Sequence, residues 1–201
     1  MIKKSVFALA IAAALSVTAL ASIAWAGPPT DVVKAKQTEL FKLIEANKDG
    51  STSSKISAIF DEMLDYDSLA KASLGDQWST LKEAEQKEFT GLLKQLIAKV
   101  YERNLKKTLA YNIEYLGEET VSETVAIVKT KAVSKSDARE EPIEINFRMA
   151  KRDGKWRIED IVTEDVSLVS TYRSQFTKIL KKDGYATLIQ KMKDKIAKGD
   201  I

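Results

Sequence analysis

The sequence predicts an α+β fold in which one four-stranded antiparallel sheet packs against N-terminal and C-terminal helices. Three observations predict it. Apolar residues recur at helical spacing up to about Leu109, they alternate with polar residues from Tyr111 to Ile158, and helical spacing returns from Leu168. Four successive strands with short links favour an antiparallel meander. Because one face of such a sheet is apolar, the flanking helices are its natural cover, and they enclose either a filled core or an apolar cavity.

The first three helices are predicted from apolar spacing and from residues that favour helix ends. Thr30 or Asp31 can cap a helix that ends near Gly50, where glycine suits a helix C-terminus. The polar segment 51–54 precedes a second helix, and a third covers 66–74, before Gly75.

The longest periodic stretch runs from about Lys82 to Leu109. Its apolar residues advance by steps of three and one, which is typical of a wide helical stripe. These residues are Phe89, Leu92, Leu93, Leu96, Ile97, Val100 and Tyr101. We therefore expect one long amphipathic helix directly before the sheet.

The change to a period of two predicts the strands. Alternating segments lie at 111–115, 125–133 and 143–149, and a fourth strand begins at Trp156 after the hairpin signal Asp153-Gly154. Two helices are expected to close the chain, one carrying the apolar residues of 168–179 and the other following Gly184.

Residues 1–26 have the pattern of a cleavable secretory signal peptide. Lys3 and Lys4 precede an uncharged apolar run, and Ala24-Trp25-Ala26 is an A-x-A cleavage pattern. A retained membrane anchor is the alternative, because a run of about 20 residues is just long enough to span a bilayer. We expect cleavage, which leaves 27–201 as a single domain.

Composition excludes several chemistries. The sequence contains neither cysteine nor histidine, so disulfides, thiolate metal sites and Ser-His or Cys-His catalysis are impossible. Of 32 basic and 29 acidic residues, only Lys3 and Lys4 fall within 1–26, so the remaining chain has almost no net charge. A nucleic-acid partner would require a large basic excess. We predict no nucleic-acid partner, no metal and no cofactor.

Few side chains suggest catalysis. Asp61 and Asp65 are spaced to share a helix face, but a solvated face explains them better than an acid–base pair or a cation site. Ser68 and Lys71 match an S-x-x-K string without its partner motifs. Asp160 is the carboxylate that an enzyme on this fold would most plausibly use. We predict that the protein is not an enzyme.

Several local strings resemble the MlaC family of periplasmic phospholipid-binding proteins of the maintenance-of-lipid-asymmetry system, also called toluene-tolerance proteins. Residues 60–66 and 74–78 resemble its F-D-x-x-L-D-[FY] and L-G-x-x-W strings, and the match continues at 153–160 and 166–176. The last segment resembles G-V-S-L-V-x-x-Y-R-x-Q-F. Asp165 departs from this pattern, which has glycine there.

The resemblance implies a sheet of the nuclear-transport-factor-like type, with acyl chains inserted between sheet and helices. It also implies a periplasmic shuttle that carries phospholipid between the outer and inner membranes. Its partners would be an inner-membrane ABC transporter with an MCE-domain protein and an outer-membrane lipoprotein complex.

Residues expected to contact lipid are taken from the apolar positions of the predicted helices and sheet. The acyl-chain candidates are Phe60, Leu64, Leu74, Leu93, Leu96, Val100, Phe147, Val169, Tyr172 and Phe176. Arg148 and Arg173 are the headgroup candidates, because a guanidinium pairs with phosphate oxygens, although a structural ion pair is the alternative for each.

Two other functions remain open from the sequence. The protein could carry a different lipid, such as a hopanoid, or it could be a periplasmic interaction module that binds apolar protein segments. A module of that kind predicts no stoichiometric bound lipid.

Overall fold

The computed structural model describes residues 28–46 and 53–198, without the side chains of Ser53 and of 101–106. The expected signal peptide 1–26, the expected end of the first helix near Gly50, and the place of Tyr101 in the apolar stripe all lie outside the described part. Within it, no helix combines the length and the apolar character that crossing a membrane requires.

The helices form where the apolar spacing predicts them. The five helices and their bounds are α1 (Pro28–Ala46), α2 (Ser53–Met63), α3 (Tyr66–Leu74), α4 (Glu83–Thr108) and α5 (Leu168–Lys198). A short 3-10 turn, Gly75–Thr80, links α3 to α4. The Asp65 carboxylate begins α3 by accepting the backbone N–H of Ser68 at 2.9 Å, and Gly75, with φ 56°, ends it.

The sheet is antiparallel throughout and has five strands, so the expectation of four strands is wrong. Its order is β1 (Tyr111–Ser122), β2 (Val125–Ser134), β3 (Ile143–Arg152), β4 (Lys155–Thr163) and β5 (Val166–Ser167). The last strand has only two residues, too few for an alternating pattern to reveal. The α+β class and the meander order are confirmed.

Two tight turns of left-handed backbone connect the later strands. Asp153 and Gly154 have φ values of 49° and 76°, as the hairpin signal predicts. Glu164 and Asp165 have φ values of 48° and 62°. Because glycine adopts this conformation without strain, the family's glycine at the position of Asp165 has a direct physical reason.

One face of the sheet is apolar and covered by helices. On β2, Val128 is fully buried and pairs with Phe147 of β3. The opposite face carries cross-strand ion pairs, such as Lys129 with Glu119 at 2.7 Å. This alternation explains why the helices pack on one side of the sheet only.

The C-terminal helix is broken at Gly184, where φ is 80° and ψ is 174°. The two helices expected after the sheet are therefore the two arms of α5, on either side of this kink. The N-terminus of α5 is capped by Asp160 and Ser167: Asp160 accepts the N–H of Val169 at 3.1 Å, and the Ser167 hydroxyl accepts that of Ser170 at 3.0 Å.

Candidate functional site

The first apolar space lies between the sheet and the N-terminal helices, and we call it the sheet cavity. It has a volume of about 190 Å³ and is lined mainly by Leu40, Phe41, Phe60, Leu64, Ile145, Phe147, Ile158 and Ile161. The junction between α2 and α3 fixes one wall, because the N–H of Asp65 donates to the carbonyl of Ile158 at 2.9 Å. The cavity is therefore framed by backbone hydrogen bonds on its sheet side.

The second space is larger and lies between α4 and the two arms of α5; we call it the α5 groove. It has a volume of about 610 Å³, and its apolar lining is Leu96, Val100, Leu168, Tyr172, Phe176, Ile179, Leu188 and Met192. Three lysines of the second arm, Lys191, Lys195 and Lys198, also line it. An apolar floor with cations along one side suits an amphipathic ligand.

Three aromatic rings link the floor of the α5 groove to the core. Tyr172 stacks on Phe176 with 5.3 Å between ring centroids, and Phe176 meets Phe89 edge to face at 5.4 Å. Phe89 is fully buried on α4. Tyr172 and Phe176 thus line the groove, and Phe176 also holds α5 against α4 through its contact with Phe89.

The structure divides the predicted acyl-chain residues between these spaces. Phe60, Leu64 and Phe147 line the sheet cavity. Leu96, Val100, Tyr172 and Phe176 line the α5 groove.

The three remaining acyl-chain candidates line neither space. Leu74 and Leu93 are 1% and 0% exposed within the core. Val169 borders a separate polar pocket of about 200 Å³.

Sequence reasoning missed part of each lining. Ile145 and Ile161 line the sheet cavity together with Phe147, and Phe147 pairs directly with Ile161 across β3 and β4. The alternation that placed Ile145 and Phe147 on one face was a usable signal for Ile145. Leu188 and Met192 line the α5 groove, and no local pattern indicates that the kink brings them beside α4.

The two headgroup candidates have other partners. Arg148 donates to Glu159 at 2.8 Å, the ion pair that was its alternative, and both residues border the polar pocket with Asp160. Arg173 donates to the backbone carbonyl of Ala72 at 2.7 Å, on the face of α5 away from the groove.

The residues considered for catalysis serve the fold. Asp61 pairs with Lys94 at 2.7 Å, which joins α2 to α4. The Ser68 hydroxyl donates to Asp65 at 2.8 Å. Asp160 accepts three hydrogen bonds, from Ser167, Ile161 and Val169. In the described part of the chain, no three acidic side chains converge as a metal site would require.

Burial near both spaces shifts tyrosine ionisation. Burial raises the pKa of Tyr115 to about 12, and its hydroxyl donates to Gln37, which lines the sheet cavity. Burial also raises the pKa of Tyr172 in the α5 groove. Both phenols stay neutral at physiological pH, which suits an apolar lining.

The fold defines a small α+β protein with one apolar space between its sheet and helices and a larger one between two of its helices. The chain belongs to the MlaC family: the family model described as "MlaC protein" matches residues 34–194. No curated protein gives a significant match.

A solved structure has the same fold. It is a phospholipid-binding protein from Ralstonia solanacearum in complex with a phospholipid. The similarity has a TM-score of 0.75 at 20% identity, and it covers 87% of this chain and 100% of the other. At that identity the likeness concerns the fold.

Proposed function

We propose that this protein binds phospholipid and carries it between membranes, with acyl chains in the sheet cavity and the α5 groove. The observation that carries the proposal is the pair of apolar spaces within an MlaC-family fold. The similar Ralstonia protein was solved with a phospholipid, which supports the same ligand class here.

The size of the two spaces bears on how a lipid enters. Small-molecule sites typically have volumes of about 300–1,000 Å³. The α5 groove, at about 610 Å³, lies in that range, whereas the sheet cavity, at about 190 Å³, lies below it. A chain entering the sheet cavity must therefore displace side chains or the helices above it.

Apolar burial explains why such transfer can be reversible. Two acyl chains contain about 30 CH₂ groups, and moving each from water to an apolar site gains about 0.8 kcal/mol. A carrier exchanges its lipid with a bilayer, whose interior is equally apolar. The free energy gained by burial in the protein is therefore offset by the burial that is lost on leaving the bilayer. Transfer then needs no bond cleavage, and we propose that the protein is not an enzyme.

The first test is native mass spectrometry of residues 27–201, purified without detergent, followed by solvent extraction. We expect about one phospholipid per chain. Protein without lipid that also takes none from vesicles would contradict the proposal and favour an interaction module for apolar segments. A bound mass that matches a hopanoid would support a lipid carrier whose ligand is a hopanoid instead of a phospholipid.

Bulky substitutions then locate the acyl chains. Ile161→Trp fills the sheet cavity and Ile179→Trp fills the α5 groove; both positions are only partly buried, which limits the cost in stability. We expect each variant to bind less phospholipid than the wild type. Full occupancy in a folded variant would remove that space from the proposed site.

Charged substitutions are a harsher form of the same test. Leu96→Asp and Phe147→Asp each place a carboxylate among apolar side chains, which we expect to abolish lipid co-purification. Circular dichroism must show that each variant is folded. Unchanged lipid content in a folded variant would count against that position.

The headgroup role of Arg148 and Arg173 stays a prediction. Arg148→Gln and Arg173→Gln remove each guanidinium while keeping a polar side chain. If either guanidinium contacts the lipid phosphate, we expect the corresponding variant to fold like the wild type and to bind less lipid. Wild-type content in both would leave Arg148 as the ion-pair partner of Glu159 and Arg173 as the donor to Ala72.

The cellular setting is the finer part of the proposal. We propose that residues 1–26 direct export to the periplasm and that 27–201 act as one lipid-binding domain. The proposed partners are an inner-membrane ABC transporter with an MCE-domain protein and an outer-membrane lipoprotein complex. Cell fractionation and N-terminal sequencing test the export, and crosslinking in intact cells tests the partners.

A further inference from the structure

The charge of the chain is concentrated on its C-terminal helix. α5 carries eight basic and two acidic residues, although the whole chain has a net charge of only +3. The first arm of α5 presents opposite faces: Tyr172 and Phe176 line the α5 groove, whereas Arg173, Lys178 and Lys181 lie on the other side. On the second arm, three of the four lysines lie along the groove, and the fourth, Lys193, pairs with Glu88 of α4.

Those cations are Lys191, Lys195 and Lys198, which we call the lysine rim. They stand at spacings of four and three, so they follow one edge of the α5 groove on successive turns. Lysine stems can cover apolar surface while the ammonium groups remain in water. The rim therefore places positive charge where an apolar floor meets solvent.

Only one of the three rim lysines has an ion-pair partner in the described part of the chain. Lys191 pairs with Asp183 at 3.0 Å. Lys195 and Lys198 have no ion-pair or hydrogen-bond partner among the described side chains. The acidic residue of the lining, Asp194, accepts a hydrogen bond from Gln190 at 2.8 Å. Two free cations thus border the groove.

We propose that the lysine rim holds the anionic headgroup of a phospholipid whose acyl chain lies in the α5 groove, which gives the protein a preference for anionic over zwitterionic phospholipids. This inference rests on the proposed function and adds a headgroup class to it. A zwitterionic headgroup brings its own cation toward the rim, so the attraction is weaker.

The test offers both lipids in one membrane. Protein freed of lipid is incubated with vesicles that contain phosphatidylglycerol and phosphatidylethanolamine in equal amounts. Native mass spectrometry then identifies the bound lipids by their masses and gives the ratio between them. Because both lipids share one vesicle, attraction of the protein to the membrane surface is the same for each. We expect the wild type to prefer phosphatidylglycerol by about fivefold per free lysine.

The rim variant is Lys195→Gln with Lys198→Gln, and its matched control is Lys178→Gln with Lys181→Gln. Both pairs remove two positive charges from exposed positions of α5, and only the first pair lies along the groove. We expect the rim variant to bind both lipids equally and the control to keep the wild-type preference. Total lipid uptake should stay at the wild-type level in the control, because neither of its two lysines lines the groove.

Several outcomes would overturn the inference. Equal binding of both lipids by the wild type, or an equal loss of preference in the control, would mean that the rim does not select the headgroup. If the wild type takes up neither lipid, the proposed function itself fails, which is a separate result.

Discussion

The sheet cavity and the α5 groove are both apolar, but different interactions hold their walls. The sheet cavity is framed by the β3–β4 ladder and by the hydrogen bond from Asp65 to Ile158. The α5 groove is framed by helix packing and by the kink at Gly184. Hydrogen-bonded walls resist movement, whereas packed helices can shift by small slides. We therefore expect the α5 groove to be the more adjustable of the two.

Truncating the aromatic floor should show how strongly the α5 groove depends on packing. Phe176→Ala removes a buried ring that contacts Phe89 and Tyr172, and we expect it to destabilise the fold by about 3–5 kcal/mol. Phe41→Ala, in the sheet cavity, should cost less because the ring of Phe41 is only partly buried, whereas the ring of Phe176 is buried. Urea unfolding measures both, and an equal or larger loss in Phe41→Ala would contradict the comparison.

Changing the kink should affect the groove alone. Gly184 has a φ of 80° and a ψ of 174°, a region essentially restricted to glycine, so Gly184→Ala should cost about 1–3 kcal/mol and reduce lipid in the groove. Gly91→Ala is the matched control: it lies inside α4, where an added Cβ meets nothing within 4 Å, and it should stabilise by about 0.5–1 kcal/mol. Stability unchanged in Gly184→Ala would show that the kink is not required.

Alkaline pH should weaken both regions through their tyrosines. Burial favours the neutral phenol, so this contribution to stability is complete below pH 10, the ordinary pKa of tyrosine, and is lost as pH rises. For Tyr115 the loss extends to about pH 12. Unfolding midpoints measured across this window should depend less on pH in Tyr115→Phe and in Tyr172→Phe. If the unfolding midpoint depends on pH equally in the wild type and in both variants, the raised tyrosine pKa values are contradicted.

The smallest expected effect is at the turn that leads from β4 toward α5. Asp165 has a φ of 62°, so Asp165→Ala should lose about 1 kcal/mol, since a side chain without a local hydrogen bond tolerates this region poorly. Asp165→Gly should remain within about 0.5 kcal/mol, because relief of strain is offset by greater freedom in the unfolded chain. Thermal unfolding of the two variants separates these outcomes.

Periodicity predicted most of the elements because it records which face of each element is buried. The change of period at Tyr111 located β1, and the Asp153-Gly154 turn located the β3–β4 hairpin. β5 was not predicted because a strand of two residues is too short to show an alternating pattern. For α5, Gly184 marked the break, but the direction of the second arm depends on backbone angles that spacing does not reveal.

The candidate site was less predictable than the fold for a related reason. Phe60, Leu74 and Leu93 are all apolar residues at buried positions, yet of the three only Phe60 lines one of the two spaces described above. Whether a buried side chain fills the core or lines a cavity depends on how closely the elements around it pack against it. Those elements can be many residues away in the chain. Local spacing contains no such information.

The sequence by itself determined the α+β class, the order of the helices and of the first four strands, the lack of histidine and cysteine chemistry, and the resemblance to the MlaC family. These properties depend on local periodicity, composition and short sequence strings, all of which can be read directly from the amino-acid sequence. Only the tertiary structure decided where the sheet cavity and the α5 groove lie, which predicted residues line each of them, and that three lysines follow one edge of the α5 groove. The physical reason is that cavities arise between elements, where packing geometry rather than residue order decides what remains unfilled.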